Sequence, residues 1–448
     1  MKSAFQNSSQ TLLPMDKQAL EIVKKLRAKG FVAYYAGGYV RDKILGLPSD
    51  DIDIATNALP EDIQKIFKKT FPKGVAFGVI SVLMGKHEYE VATFRKEGEY
   101  SDGRRPDHVE YTDAKGDAIR RDFTINGMFY DPLEKKIIDF VGGERDIKSK
   151  LIRAIGDAEE RFTEDKLRIL RAVRFSANLN FEIEEKTKKA VKKMAPQIHQ
   201  VSSERIREEI LKILTGGRAK KGFELLDELG LLEEILPEIV KMKGVEQPPE
   251  FHPEGDVYVH TMMMLDMLKK GVTRDFAFAV LLHDVGKPPT FIVKERIRFD
   301  GHVEVGADMA VEICKKLKFS NKAIQHIYEL IRQHLKFKDV KKMRESTLKR
   351  FLRQDRFSDH LELHRIDCLC SHGSLESYEF CQEKLALFKK EKMKPKPLIG
   401  GKDLIKMGLK PGPLFRKVLT HIEDLQLEGK VKTKKQALEA AKQYISTI

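Results

Sequence analysis

The stretch Ala36-Gly-Gly-Tyr-Val-Arg-Asp-Lys-Ile-Leu-Gly-Leu-Pro-Ser-Asp-Asp-Ile-Asp-Ile-Ala55 decides how the chain is read. Phe31 to Tyr35, just before it, has the apolar and aromatic make-up of a short buried strand. Gly37 and Gly38 follow, and without Cβ atoms they permit a tight turn whose N–H groups come close to a ligand. Tyr39 to Leu45 reads as a short helix carrying Arg41 and Asp42. Asp51-Ile-Asp53-Ile reads as a strand, and residues two apart on a strand face the same way. Asp51 and Asp53 then project side by side, with Ile52 and Ile54 on the buried face. Two hard oxygen donors at that spacing suit Mg²⁺ completed by substrate phosphates. A glycine turn for phosphates next to such a site is the equipment of phosphoryl or nucleotidyl transfer.

Working outward, 448 residues hold two to four compact units. A net charge of +14 points to a polyanionic partner. Cys314, Cys368, Cys370 and Cys381 form no CxxC pair and fit a reducing compartment. The N-terminus lacks a signal-peptide core, and no apolar run has the ~20 residues of a membrane span. The expectation is a cytoplasmic protein without a membrane partner; the sequence sets no oligomeric state.

Residues 1–13 read as a loosely docked arm, and Met15 to Lys29 as an amphipathic helix with Leu20, Ile22, Val23 and Leu26 on one side. Gly78 to Met84 and Glu88 to Phe94 read as paired strands, separated from Val109–Tyr111 by a charged loop, Arg95 to His108. Arg120-Arg-Asp-Phe-Thr-Ile-Asn-Gly127 follows, and two arginines beside metal-binding carboxylates suit a triphosphate. From Glu159 the pattern is helical. Glu164 and Arg168 are spaced for an ion pair, whereas Asp165 and Arg168 share a face and offer an acceptor and a fork of donors to a base edge. A Pro- and Gly-rich break at 243–256 marks a domain boundary. Lys389 to Pro397 reads as a basic linker to a final helical segment.

The combination GGxVRD, DxDIAT, RRDFTxN and EDxxR resembles the class II nucleotidyltransferases of the DNA polymerase β-like superfamily, the CCA-adding tRNA nucleotidyltransferases and bacterial poly(A) polymerases. The resemblance covers residues 30–240. It implies an α+β fold: a small mixed-sheet head (1–150), then a mostly α-helical neck and body (151–242). It implies Asp51 and Asp53 as catalytic Mg²⁺ ligands, and Gly37, Gly38, Arg41, Asp42, Arg120, Arg121, Asp122, Asn126, Glu164, Asp165, Arg168 and Arg171 as nucleotide-binding residues. Asp165 and Arg168 resemble the amino-acid template that pairs with CTP or ATP. The implied reaction is addition of CCA, or of its A, to the tRNA 3′ end. The segment KGVAFGVISV lacks the basic signature of the poly(A) polymerase branch, and the loop Arg95 to His108, absent from relatives that add only CC, implies that A is added. Poly(A) synthesis and A addition alone are the alternatives.

After the break, His260, His283-Asp284, His302, His334 and Asp367 fall on successive helices. This order resembles the HD superfamily of metal-dependent phosphohydrolases, and implies an all-α domain at 243–382 ahead of a helical tail at 383–448. His260, His283, Asp284 and Asp367 would bind one divalent metal, and His302 and His334 a second metal or the substrate phosphate. Imidazoles with carboxylates suit Mn, Ni, Fe or Zn better than Mg. A phosphohydrolase as the main activity, or an RNA-binding protein without turnover, are the rival readings.

Overall fold

The computed structural model describes residues 14–49, 51–74, 77–97, 109–250, 252–388 and 395–447. The arm 1–13, and most of the loop Arg95 to His108 and of the basic run Lys389 to Pro397, lie outside the described residues. The chain divides into two compact units, Met1–Val240 with Lys269–Gly271, and Lys241–Leu268 with Val272–Ile448.

The first unit opens with α1 (Pro14–Ala28), β1 (Ala33–Ala36), α2 (Gly38–Leu45), β2 (Asp53–Thr56), α3 (Pro60–Ile66), β3 (Thr70–Gly74), β4 (Val79–Met84) and β5 (His87–Thr93). A small ribbon of β6 (Arg95–Glu97) and β7 (Val109–Tyr111), then α4 (Ala114–Ile119), β8 (Phe129–Asp131), β9 (Lys136–Ile138) and α5 (Gly143–Lys148) complete the head. The main sheet has the order β3-β4-β5-β2-β1-β8-β9. Only β2 and β5 run parallel; the other neighbours are antiparallel. On α1 the buried residues are Ala19, Ile22, Val23 and Leu26. Ala19 replaces the expected Leu20 because it continues the three- and four-residue spacing of the stripe. With Ile54, Ile63, Ile80, Val82 and Val91 these side chains form the head's core. Each such aliphatic side chain contributes about 1.5–3 kcal/mol by leaving water.

Helices follow: α6 (Ala158–Glu164), α7 (Leu167–Leu179), α8 (Glu185–Met194), α9 (Ser203–Leu214), α10 (Ala219–Glu228), α11 (Leu231–Ile235) and α12 (Pro237–Val240), with a two-residue parallel pair, β10 (Leu151–Ile152) and β11 (Glu182–Ile183). The expected head and neck share one compact unit because α7 is fastened to the head: Phe175 stacks edge-on against Phe123, and Arg171 pairs with Asp122.

The second unit is helical: α13 (Val257–Asp266), α14 (Arg274–Leu282), a short hairpin of β12 (Ile292–Val293) and β13 (Ile297–Arg298), α15 (His302–Lys316), α16 (Asn321–Gln333), α17 (Glu345–Leu352), α18 (Phe357–Cys370), α19 (Glu376–Phe388), α20 (Gly401–Lys406), α21 (Pro413–Leu427) and α22 (Lys434–Ser446). Phe276 to Leu282 are all buried, so α14 is a central strut rather than an amphipathic surface helix. The tail has its own small core around Leu404, Val418, Ile422 and Ala437, and is tied to α17 by Arg350 and Arg353 on Glu423.

Candidate active site

The sheet register assembles the first site. Ala36 pairs with Asp53 across β1 and β2, so the first carboxylate of the strand stands next to the glycine turn. Ile54 pairs with Val91, which brings Glu90 of β5 beside Asp53. The strand starts at Asp53 rather than Asp51, yet the alternation holds: Ile52 and Ile54 are buried, while Asp51 is exposed. Gly37 has φ 67° and caps α2. A Cβ there would lie 3.1 Å from Arg121 Nη1 and 3.7 Å from Asp53 Oδ2. Glycine is therefore required twice over, for its left-handed backbone and for the space that the arginine and the carboxylate occupy.

Burial, with the charges of Asp51 and Glu90, pushes the Asp53 carboxyl up to about 6, against the pull of Arg121. Carboxylates placed in this way raise one another's pKa, and their oxygens are hard donors of the kind a divalent cation takes. A cavity of about 200 Å³ is lined by Asp53, Glu90, Arg120 and Arg121 together with Ala36 and Val79.

Both arginines are held from behind by Asp117, which is almost fully buried. Arg120 Nε donates to its Oδ1 at 2.8 Å and Arg121 Nη2 to its Oδ2 at 3.0 Å. Burial opposes ionisation of Asp117, and the two guanidiniums overcome it, holding the carboxyl below its usual range. Asp113 starts this helix by accepting from Gly116 N, which sets Asp117 one turn ahead of the arginines.

The other motif residues form a connected network. Arg41 donates to Asn126 Oδ1 and to Asp42 Oδ1, each at 2.8 Å. Asn126 Nδ2 donates to Asp122 Oδ1 at 3.2 Å, and Arg171 Nε to Asp122 Oδ2 at 2.7 Å. Asp122 is buried, its carboxyl held low by Arg171 in spite of burial. Turned toward Arg171, it does not line the carboxylate cavity. Gly38 lies by Arg41, where a Cβ would meet the guanidinium at 3.6 Å. Arg168 binds Glu164 at 2.6 Å, the carbonyl of Arg161 at 2.9 Å and that of Arg120 at 3.3 Å. Asp165, between α6 and α7, accepts from Leu167 N at 3.0 Å and from Arg205 Nη2 at 2.7 Å.

Three participants escaped the sequence reading. Glu90 is in the alternating run HEYEVAT, which shows a strand but not its neighbour. Asp117 is signalled only by its spacing of three and four from Arg120 and Arg121. Arg205 carried no signal, because its partner is forty positions away.

A second constellation lies in the other unit. Asp256 caps α13 and sets His260 in its first turn. His283 and Asp284 end the apolar α14, His302 opens α15, and His334 ends α16. Gly286 lets these turns meet, since a Cβ there would come within 2.1 Å of the His302 carbonyl. Every ring is steered through Nδ1: His260 by Glu254 Oε1 (2.6 Å), His283 by the Val280 carbonyl (2.9 Å), His302 by that of Phe299 (2.8 Å) and His334 by that of Ile331 (2.7 Å). This leaves Nε2 of each for a ligand. These nitrogens are buried among carboxylates: Nε2 of His260 lies 3.2 Å from Asp367 Oδ1 and that of His283 3.1 Å from Asp284 Oδ2, while Nε2 of His302 and Asp284 Oδ1 have no hydrogen-bond partner among the described residues.

Ligand atoms group as His260, His283 and Asp367, and as Asp284, His302 and His334. Asp284 spans the two groups: its Oδ2 lies 3.1 Å from His283 Nε2, beside the expected quartet, while its Oδ1 faces His302 (3.8 Å) and His334 (3.9 Å). Burial opposes the charge on Asp284, but His283 and Lys287 hold its carboxyl well below the ordinary range. Asp367 and Glu254 raise His260 to about 9 against burial, whereas burial lowers His334 to about 4. Imidazole nitrogens converging with carboxylates in this way suit a divalent ion of the later transition series.

Residues 33–153 match the family model "Poly A polymerase head domain", and 180–242 match "Probable RNA and SrmB- binding site of polymerase A". Residues 302–441 match a model of tRNA nucleotidyltransferase domain 2. The CCA-adding enzyme of Lactococcus lactis subsp. cremoris is 33% identical over 427 residues, which cover 94% of each chain. The chain belongs to the CCA-adding enzyme family, whose members are nucleotidyltransferases. The family member of Enterococcus faecalis is 32% identical over 439 residues, 96% of each chain. That of Ligilactobacillus salivarius is 47% identical over 213 residues, and there the match spans about half of the relative, 52%. Among solved family structures, the Bacillus stearothermophilus CCA-adding enzyme in complex with CTP is similar with a TM-score of 0.74 and 27% identity, over 97% of this chain and 99% of that one. The Thermotoga maritima enzyme complexed with tRNA shares the fold, with a TM-score of 0.58 and 21% identity, over 97% of both chains.

Proposed function

We propose that the chain adds the 3′-terminal CCA to tRNA from CTP and ATP by metal-assisted nucleotidyl transfer. The observation that carries the reading is the convergence of Asp53 and Arg121 on Gly37, from three separate motifs. Asp51, Asp53 and Glu90 would hold Mg²⁺, which when bound lowers the pKa of the attacking 3′-OH and neutralises charge on the α-phosphate. Arg120 and Arg121, pre-set by Asp117, take the triphosphate oxygens as charge-assisted donors. The Gly37–Gly38 turn brings backbone close to the phosphates, and Arg41 is kept in place by Asn126. Asp165 and Arg168 select the base, their positions fixed by Arg205 and Glu164. The names of the full-length relatives favour CCA addition over poly(A) synthesis. The test is incubation with tRNA transcripts ending at the discriminator base, at C and at CC, each with CTP, ATP or both, followed by sequencing of the added nucleotides. Growth beyond CCA in ATP alone would make the chain a poly(A) polymerase, and no incorporation would end the reading.

For the second unit, the convergence of buried imidazole nitrogens and carboxylates favours an HD-type metal phosphohydrolase site. His260, His283 and Asp367 would hold one ion, and Asp284, His302 and His334 a second. A bound ion there supplies a hydroxide nucleophile and polarises a phosphoryl oxygen. Lys287, 2.7 Å from Asp284, is placed to offset negative charge beside the ions. Metal content after loading with Mn²⁺ or Ni²⁺, compared with Asp284→Asn, tests the site apart from turnover.

A further inference from the structure

The cavity of the second unit is larger than the phosphoester its metal-ligating groups would hold. Its volume is about 790 Å³, within the span of pockets that enclose whole small-molecule ligands. Its lining divides in two. Asp284, His302 and His334 are buried. Arg296, Arg298, Lys338 and His372 also line it, and all are exposed, as are Glu250 and Asp300, so basic side chains outnumber carboxylates at the open end.

Arg296 and Arg298 come from the β12–β13 hairpin, which the chain inserts between Lys287 and His302. Arg296 stands in the turn, where its carbonyl accepts from Lys294 N, and Arg298 on β13. Two of the cavity's cations are committed: Lys287 to Asp284 and to Gln247 (2.6 Å), and Arg298 to Asp300 (3.0 Å). Arg296 and Lys338 have no side-chain partner among the described residues. Phe299, half-buried at the end of the hairpin, adds an aromatic ring to the lining.

From this we infer that the cavity takes a nucleotide-sized ligand with at least two phosphate groups: one among the histidines and aspartates, a second at Arg296 and Lys338, with the base against Phe299. The inference rests on the phosphohydrolase reading for the first phosphate and adds the second. Free cations facing a buried metal-ligand set give a polyphosphorylated nucleotide an advantage over a monophosphate. A nucleoside diphosphate and the 3′-phosphorylated end of an RNA share this chemistry.

The test is equilibrium dialysis of the full chain with Mn²⁺ against α,β-methylene-ADP, AMP and a 3′-phosphorylated dinucleotide. The expected result is a methylene-ADP site in addition to that of the head. At this added site the double variant Arg296→Ala, Lys338→Ala loses about ten-fold or more in affinity for methylene-ADP and about three-fold or less for AMP. Tighter binding of the dinucleotide than of methylene-ADP identifies an RNA end as the source, and the reverse order a free nucleotide. A single site in the parent protein, or equal losses for AMP and methylene-ADP, overturns the inference. Mn²⁺ uptake is scored separately. Without uptake, but with the Arg296- and Lys338-dependent preference intact, the phosphohydrolase reading falls and the two-phosphate site stands. With uptake and no preference, the inference alone falls.

Discussion

Asp165 Oδ2 accepts a 2.7 Å hydrogen bond from Arg205 Nη2, which ties the turn between α6 and α7 to the start of α9. Its other oxygen accepts from Leu167 N, so both carboxylate oxygens are anchored and the side chain is left one orientation. A group that chooses between CTP and ATP by hydrogen-bond pattern must be held this firmly, since a small displacement blurs the choice. Arg205→Ala is expected to lower the ratio of kcat/KM for the correct over the incorrect nucleotide about ten-fold, with tRNA affinity nearly unchanged. Arg205→Lys should restore part of it, because a lysine keeps the charge but not the fork. Discrimination equal to that of the parent would show that Asp165 is positioned by other contacts.

Asp53 carries a pH signature. Its carboxyl lies at about 6 in the fold, and at about 3.9 in an unfolded chain. The folded state therefore binds the proton more tightly. This contribution to stability is fully present below about pH 4 and is lost as pH rises through 6. Asp53→Asn should abolish nucleotide addition, yet stabilise the metal-free protein at pH 8 by about 1–3 kcal/mol, the gain fading toward pH 4. Urea titrations at the two pH values, with chelator present, read this directly. A destabilised variant at pH 8 would contradict the crowding of Asp53 by Asp51 and Glu90.

Much of this site was legible because its parts are local. The Gly37–Gly38 turn, the Asp51–Asp53 pair and the Arg120–Arg121 pair each announce themselves within a few residues, and strand alternation fixed the face of the carboxylates even though β2 begins two residues later than expected. What stayed hidden depends on pairing between distant segments. Glu90 reaches Asp53 only because β5 lies parallel to β2, and strand order is not written in either strand. Asp122 was legible as a motif residue but its partner was not: it is the buried anchor of Arg171, forty-nine positions along the chain. The histidines of the second unit were visible as a set, but not that Asp284 would hold His283 with one oxygen and face His302 and His334 with the other.

Gly37 separates backbone from side-chain effects. At φ 67°, a Cβ would approach Arg121 Nη1 to 3.1 Å. Gly37→Ala is expected to cost about 1–2 kcal/mol in stability for the left-handed conformation. It should also push Arg121 off Asp117 and raise KM for the nucleotide. The corresponding change at Gly30, also at positive φ but with nothing within 4 Å of its Cβ, should carry the stability cost alone. Thermal melts and nucleotide KM values for the two variants distinguish the effects, and equal KM values would remove the argument that Gly37 makes room for the arginine.

Glu254 gives the second unit its most specific prediction. One oxygen, Oε1, accepts from Nδ1 of both His260 (2.6 Å) and His252 (2.9 Å). The carboxylate fixes the His260 tautomer with Nε2 facing Asp367 and His283, and raises the ring's basicity; the other three rings are steered by main-chain carbonyls that no substitution removes. Of these four histidines, His260 is thus the one whose Nδ1 is held by a replaceable side chain. Glu254→Gln keeps the volume but presents an amide that binds the ring less strongly and without charge. Its Mn²⁺ affinity, measured by calorimetry, should fall about 10–100-fold, the usual effect of losing a carboxylate behind a metal-bound imidazole. The fall should be confined to one of two bound ions, since His302 and His334 have no contact with Glu254 among those described. Loss of both ions together would mean that the two groups form a single site, and unchanged affinity would remove His260 from the ligand set.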